Sequence, residues 1–229
     1  MIGELQFFVV RRSLLREGDE FMLADILELQ TEKGTVYIEG PAPGEYLESL
    51  SMNQQLNNFR PAGKQKEALI NISKIPQGMI YIARHQKEII GYVTFHQPDE
   101  YTRWSKHPRI LEMGGIEISP EWRKYKIGLN LLKVAFSAKP LEDFIVITME
   151  YAWHWDLRSS GLDVWKYQKM LTGMFSRAGL SKVSTDDPDI LEHPCNVLMA
   201  KIGPGVSKQD ILLFESMRFM SKYGEAVQI

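Results

Sequence analysis

Between Ile116 and Phe136 the chain reads as the end of a strand, a tight basic turn and then a helix, and this junction limits the fold more than any other stretch. A strand that hands over directly to a helix aims the helix's unpaired N–H groups into one small volume. Arg123, Lys124 and Lys126 surround that volume. Backbone donors, the positive end of the helix dipole and basic side chains together suit an anion of the phosphate kind.

The rest of the chain alternates strands and helices around this junction. Thr35–Glu39 reads as a strand closed by Gly40-Pro41, and Glu45–Leu50 as a short helix. Lys64–Ile75 is a second helix with Ala68, Leu69, Ile72 and Ile75 on one face. Met79–Arg84 and Ile89–His96 make a hairpin around Gln86-Lys87, and Leu111–Ser119 is the strand that enters the basic turn. After the helix Gly128–Ala138 comes Phe144–Tyr151, apolar enough for the middle of a sheet. The helix Val164–Ala178, closed by Gly179, and strands at Lys182–Thr185 and Asn196–Ile202 complete the order. With 229 residues, one core domain over residues 34–203 is expected, with an N-terminal extension over 1–33 and a C-terminal helical extension over 204–229. A short helix is expected within Met1–Asp25. Organised strand signals begin only around Gly34, which makes Met22 a candidate start of translation; the intact mass of protein made from the native gene decides that.

Composition removes several classes of function. A hydrophobic fraction of 44% and five tryptophans fill a sizeable core, while a formal charge of −2 leaves no global basic field for nucleic acid. The single cysteine, Cys195, allows no internal disulfide and no cysteine-rich metal site, and fits a reducing cytoplasm. The histidines, His85, His96, His107, His154 and His193, form no close ligand pair, so no metal is expected. The apolar run Phe7–Val10 follows Glu4 and precedes Arg11-Arg12, the reverse of a signal peptide's charge order, and is far too short to span a bilayer. No glycine-rich loop of the P-loop or dinucleotide type is present, so nucleotide hydrolysis and hydride transfer lose their usual signature.

Two carboxylates stand on the strand before the basic turn. Glu112 and Glu117 are five positions apart, which a regular strand places on opposite faces and a bulge at Gly114-Gly115 would bring to one side. Glycines inside a strand also mark the close approach of another backbone or of a ligand. Either glutamate is otherwise an outward-facing strand residue in solvent. The stretch Tyr151–Leu157 sets Trp153 and Trp155 around His154, a composition that suits an acyl pocket, a surface receiving another protein, or aromatic packing at a strand-to-helix corner. Lys64 and Lys66 add charge near a phosphate or face solvent, and solvent is favoured for at least one.

The order of elements resembles that of the GNAT acetyltransferase fold, an α/β protein whose mixed, splayed central sheet is flanked by helices. The turn resembles that family's acetyl-CoA pyrophosphate loop: Arg or Gln, two residues, Gly, one residue, then Gly or Ala. Here it reads Arg123-Lys124-Tyr125-Lys126-Ile127-Gly128, with Lys126 in place of the first glycine. The resemblance implies acetyl-CoA as donor substrate, with its diphosphate on residues Arg123 to Gly128 and its pantetheine arm along Ile116 and Ile118. It implies Glu112, in preference to Glu117, as the base that takes a proton from the attacking amine. The family's usual acid position falls near Phe175, leaving Tyr167, Tyr151, His154 or water for the thiolate. The stretches LQTEKGTVYIEGP, FRPAGKQKEALINI, EYAWHWDL, DVWKYQKM and TDDPDILEHPCNVLMAKIG resemble, more narrowly, the acetoin-utilisation acetyltransferases of the AcuA family. That implies transfer of acetyl to a lysine of acetyl-CoA synthetase, which is switched off by it, and a receiving surface at Trp153, His154 and Trp155. Acetylation of a small amine, or an acyl-CoA-sensing module without turnover, stand as alternatives, and a homo-oligomer is compatible with any of them.

Overall fold

The computed structural model describes residues 8–17 and 20–220, with side chains from Ile26 onward. The chain forms two compact units: one takes the residues up to Phe95 with Gly115–Ala138, the other His96–Gly114 with the residues from Lys139 on.

In the first unit, β1 (Phe8–Glu17) and β2 (Glu20–Thr31) pair antiparallel, and β2 pairs in turn with β3 (Gly34–Glu39), Leu27 opposite Ile38. The short helix expected within Met1–Asp25 is thus replaced by strand over Phe8–Glu17 and from Glu20 on, and the remainder of that expectation lies outside the described residues. A strand at a sheet edge offers a row of unpaired N–H and C=O groups, and pairing with it outweighs a weak local helix preference. Leu27 and Leu29, alternate residues of β2, are buried. Met22 lies within β2 opposite Leu15, so a chain begun there would lack β1.

Next come α1 (Gly44–Ser49), β4 (Ser51–Met52) and α2 (Ala62–Lys74), whose Leu47, Met52 and Leu69 join Ile80, Ile82 and Ile89 in one core. Ala62, Gln65 and Leu69 are the buried residues of α2; Ile75 is 45% exposed because the helix stops at Lys74 and Ile75 is extended. Lys64 pairs with Glu67 at 3.2 Å, and Lys66 Nζ donates to the carbonyls of Glu48 and Leu50 at the end of α1, so both charges are engaged locally. β5 (Met79–His85) and β6 (Glu88–His96) form the expected hairpin, with Gln86 at φ 52° in its turn. Met79–Ala83 and Ile89–Phe95 are buried without interruption, as strands covered on both faces require. Glu39 is buried on β3, where Arg84 Nε and Tyr46 OH each donate to its Oε1 at 2.6 Å.

β7 (Ile110–Ile118) begins in the second unit and ends in the first, where it leads into α3 (Ile127–Ser137), anchored by buried Leu131, Leu132 and Ala135. In the second unit, Ile110–Glu112 of β7 pair in parallel with Ile145–Ile147 of β8 (Ile145–Glu150). The helices α4 (Leu157–Ser160) and α5 (Val164–Arg177) precede β9 (Ser181–Val183), α6 (Pro188–Leu191), β10 (Val197–Ile202) and α7 (Lys208–Met217). β10 pairs antiparallel with the whole of β8 on one side and with β9 on the other. The ladder between β7 and β8 reaches only Glu112 opposite Ile147, while β8 runs on to Glu150. Asp163 caps α5 by accepting from Lys166 N at 2.9 Å, and Gly179, at φ 96°, follows its end. The core gathers Trp104, Ile110, Ile145, Ile147, Leu198, Phe214 and Met217. Among the described residues no helix is long and apolar enough to cross a membrane.

Candidate active site

The basic turn of the first unit is a short 3-10 segment, Pro120–Tyr125, folded over a buried tryptophan. Trp122 has the His85 ring at 5.1 Å, the Tyr125 ring at 6.1 Å and Lys33 Nζ over its face at 5.0 Å. Lys33 also pairs with Glu121 at 2.9 Å. Arg123 turns back, its Nε donating to Ile118 O at 3.1 Å, which ties the turn to the end of β7. Gly91 gives Ile118 its room: a methyl on Gly91 would lie 2.5 Å from Ile118 Cδ1. Ile116 is half-buried, and Lys124 and Lys126 are exposed.

Lys126 has φ 57° and ψ 22°, a left-handed residue directly before α3, and no side chain caps the helix behind it. That conformation explains both the glycine usual at this position and why a lysine can stand in for it at a cost of about 1–2 kcal/mol. The unbonded N–H groups of the first turn of α3, at Ile127 and Gly128, are therefore presented by backbone alone. The geometry suits a diphosphate. Lys126→Gly is expected to keep affinity for acetyl-CoA within about threefold, whereas Arg123→Glu, which sets a negative charge at the helix N-terminus, should weaken it about tenfold or more. Isothermal titration of both variants tests this; equal affinity of wild type and Arg123→Glu would remove the turn from the binding site.

Glu117, also in the first unit, is 5% exposed and hydrogen-bonded at both oxygens: Tyr92 OH donates to it at 2.7 Å and Asn58 N at 2.9 Å. Burial raises its carboxyl pKa, and the donated hydrogen bonds oppose that rise. Burial, followed by the Glu117 charge, pushes the Tyr92 phenol far up. These bonds fasten the Asn58 segment to β6 and give Glu117 a positioning role in the loop.

Glu112 differs. In the second unit it is the last residue of β7 paired with β8, half-buried, and among the described residues no hydrogen bond reaches its carboxylate. Burial raises its pKa; His96 opposes the rise and Asp99 adds to it. A carboxyl with a raised pKa and an open lone pair is a fit proton acceptor at neutral pH. A second carboxyl, Glu150 at the end of β8, accepts from Thr148 Oγ1 at 2.7 Å. Its pKa is raised by burial and, to a smaller degree, by the charge of Glu112.

The aromatic stretch after β8 divides into two parts. Trp155 is 9% exposed and stacks on Tyr167 at 5.5 Å. It lies close enough to Glu150 to favour the ionised form, yet its Nε1 closes no hydrogen bond of normal length among the described residues. Trp153 is 55% exposed, stacked flat on Tyr151 at 4.7 Å, with His154 edge-on to both rings. Burial lowers the pKa of His154. Phe175, at the family's usual acid position, is fully buried and carries no proton to give.

The sequence reading missed three groups around Glu112: His96, Asp99 and Glu150. A methyl on Gly114 would meet His96 Nε2 at 2.1 Å, so this glycine makes room for an imidazole, whereas one on Gly115 would touch only Phe59 at 3.6 Å. The glycine was the available signal; which side chain approached it was not readable.

A family model for the acetyltransferase (GNAT) family matches residues 49–144. The acetoin utilization protein AcuA of Bacillus licheniformis is 46% identical over 198 residues, 86% of this chain and 94% of that protein. AcuA of Bacillus subtilis is 41% identical over 197 residues, 85% of this chain and 94% of that protein. The crystal structure of an acetoin utilization protein from Exiguobacterium sibiricum superposes with a TM-score of 0.83 at 37% identity, covering 97% of this chain and all of that one, 100%.

Proposed function

We propose that this chain, which belongs to the GNAT acetyltransferases and within them to the AcuA family, transfers acetyl from acetyl-CoA to a lysine side chain of a protein, acetyl-CoA synthetase foremost, and so inactivates it in the cytoplasm. The observation that carries this reading is Glu112, a half-buried carboxylate with no hydrogen-bond partner among the described residues. A lysine ammonium, with a pKa of about 10.4, cannot attack a thioester until it loses a proton. Glu112 takes that proton; the free amine attacks the acetyl carbonyl, the C–S bond breaks, and the second amine proton ends on the departing thiolate. Arg123, the backbone at Ile127 and Gly128 and the strand residues Ile116 and Ile118 are the groups that would hold acetyl-CoA. Glu117 supports the loop at Asn58.

Incubation with labelled acetyl-CoA and acetyl-CoA synthetase, followed by peptide mass spectrometry, tests the proposal. The expected result is one labelled lysine and loss of synthetase activity; label on free polyamines with none on protein would move the reading to a small-amine acetyltransferase. Of Trp153 and Trp155, Trp153 is the exposed ring and the one able to meet a protein surface. Trp153→Ala should lower kcat/KM for the folded synthetase about thirtyfold, the equivalent of an anchor worth about 2 kcal/mol, and leave a short lysine peptide nearly unaffected. Equal losses on the two acceptors would make Trp153 a structural residue.

A further inference from the structure

We propose that His96 is the proton outlet of Glu112: it relays to solvent the proton that Glu112 takes from the substrate amine, and so restores the base for the next turnover. This rests on the acetyl-transfer reading above. The orientation of the ring is set by its neighbours. His96 Nδ1 lies 2.7 Å from Gln97 O, and a carbonyl only accepts, so Nδ1 carries the hydrogen and the neutral ring keeps its lone pair on Nε2. Nε2 is also the atom pressed against Gly114, two residues from Glu112 along β7 and thus on the same side of the strand.

The other histidines are committed elsewhere. His85 Nδ1 meets Thr35 O at 3.0 Å, His107 uses both nitrogens on Asp210 O and Arg109 N, and His193 Nδ1 accepts from Cys195 N at 3.1 Å. His154 packs edge-on against Tyr151 and Trp153. His96 is the one whose lone-pair nitrogen is set against the strand that carries Glu112, and its ring is partly exposed.

The reaction makes a relay useful. The ammonium gives up two protons, of which the thiolate keeps one and solvent must receive the other. Burial, with the Asp99 carboxylate from the segment after β6 adding to it, favours the protonated form of Glu112, so the proton needs an acceptor to leave it; Glu150 and the neutral phenol of Tyr151 face it from the end of β8. In the relay the O–H bond of Glu112 breaks as an N–H bond forms at Nε2. The resulting imidazolium keeps Nδ1–H on Gln97 O. Loss of that proton to water returns neutral His96 and ionised Glu112, with no atom or charge left over.

His96→Asn is the test, because its amide can still donate to Gln97 O while the relay atom is gone; should that variant fail to fold, His96→Gln takes its place. Acetylation of acetyl-CoA synthetase is measured from pH 6 to 9 with increasing imidazole. The expected result is an unchanged KM for acetyl-CoA, kcat about tenfold lower at pH 7, and recovery as added imidazole carries the proton away, with no response in wild type. A folded variant with wild-type kcat overturns the relay, and so does a slow variant that imidazole does not accelerate, since the ring would then be structural. Glu112→Gln separates this failure from that of the underlying reading: full activity there removes the base itself, while a slow Glu112→Gln beside a fast His96→Asn removes only the relay.

Discussion

Glu112→Gln is expected to lower the acetyl-transfer rate at pH 7 by about a hundredfold or more, the usual loss when a positioned general base is removed. The amide preserves shape and cannot accept the amine proton. Part of the lost rate returns as pH rises toward the lysine's own pKa of about 10.4, where the amine deprotonates unaided. Wild type is expected to behave differently, its rate falling as pH drops through the raised pKa of Glu112, because burial and Asp99 hold the carboxyl protonated above the usual carboxylate range. The same shift fixes a stability effect of opposite sign. The folded state binds this proton more tightly than the unfolded state, so stability from Glu112 is lost as pH rises from the ordinary carboxylate range through the raised value. Glu112→Gln should match wild type in stability below that window and exceed it above, a trade of stability against activity. Parallel pH series of kcat and urea midpoint check both halves. A variant that keeps its rate and an unchanged profile would hand proton removal to Glu117 or to water.

The central elements were legible because their signals are local. Continuous apolar runs bounded by polar turns announced β5, β6 and β8, and Gly179 announced the end of α5. β1 and β2 were not, since what makes them strands is the open edge of β3, a partner that no local pattern reveals. The site divides in the same way. The strand, basic turn and helix could be read directly, yet the left-handed backbone that lets Lys126 serve where glycine is usual could not. Trp153 and Trp155 look alike in sequence, and only packing on Tyr151 and on Tyr167 shows one exposed and the other buried. Gly114 announced a close approach without naming the partner, because residues 96 and 114 meet only once the chain is folded.

Trp104→Ala should destabilise the protein by about 3–5 kcal/mol, a large part of the roughly 5–15 kcal/mol that keeps a typical domain folded. Trp104 is fully buried, with the Phe214 ring at 5.8 Å and with Ile110, Ile145, Leu198 and Met217 in the same core. Its Nε1 donates to Asp187 Oδ2 at 2.9 Å. Asp187 is 6% exposed, caps α6 by accepting from Asp189 N at 3.2 Å, and has Arg103 Nε at 3.5 Å. Alanine therefore removes core contacts from β7, β8, β10 and α7 and deprives a buried carboxylate of a donor. Trp104→Phe separates the two contributions: it restores most of the apolar volume and should cost only about 1–2 kcal/mol, because Arg103 still faces Asp187. Urea unfolding at constant m-value measures both. A loss below about 1 kcal/mol for alanine would mean that α7 closes over the vacated space. With the larger loss, Trp104→Ala should show little acetyl transfer at 37 °C and recover it on cooling, since Trp104 belongs to the unit that holds Glu112 and acts on the chemistry only through folding.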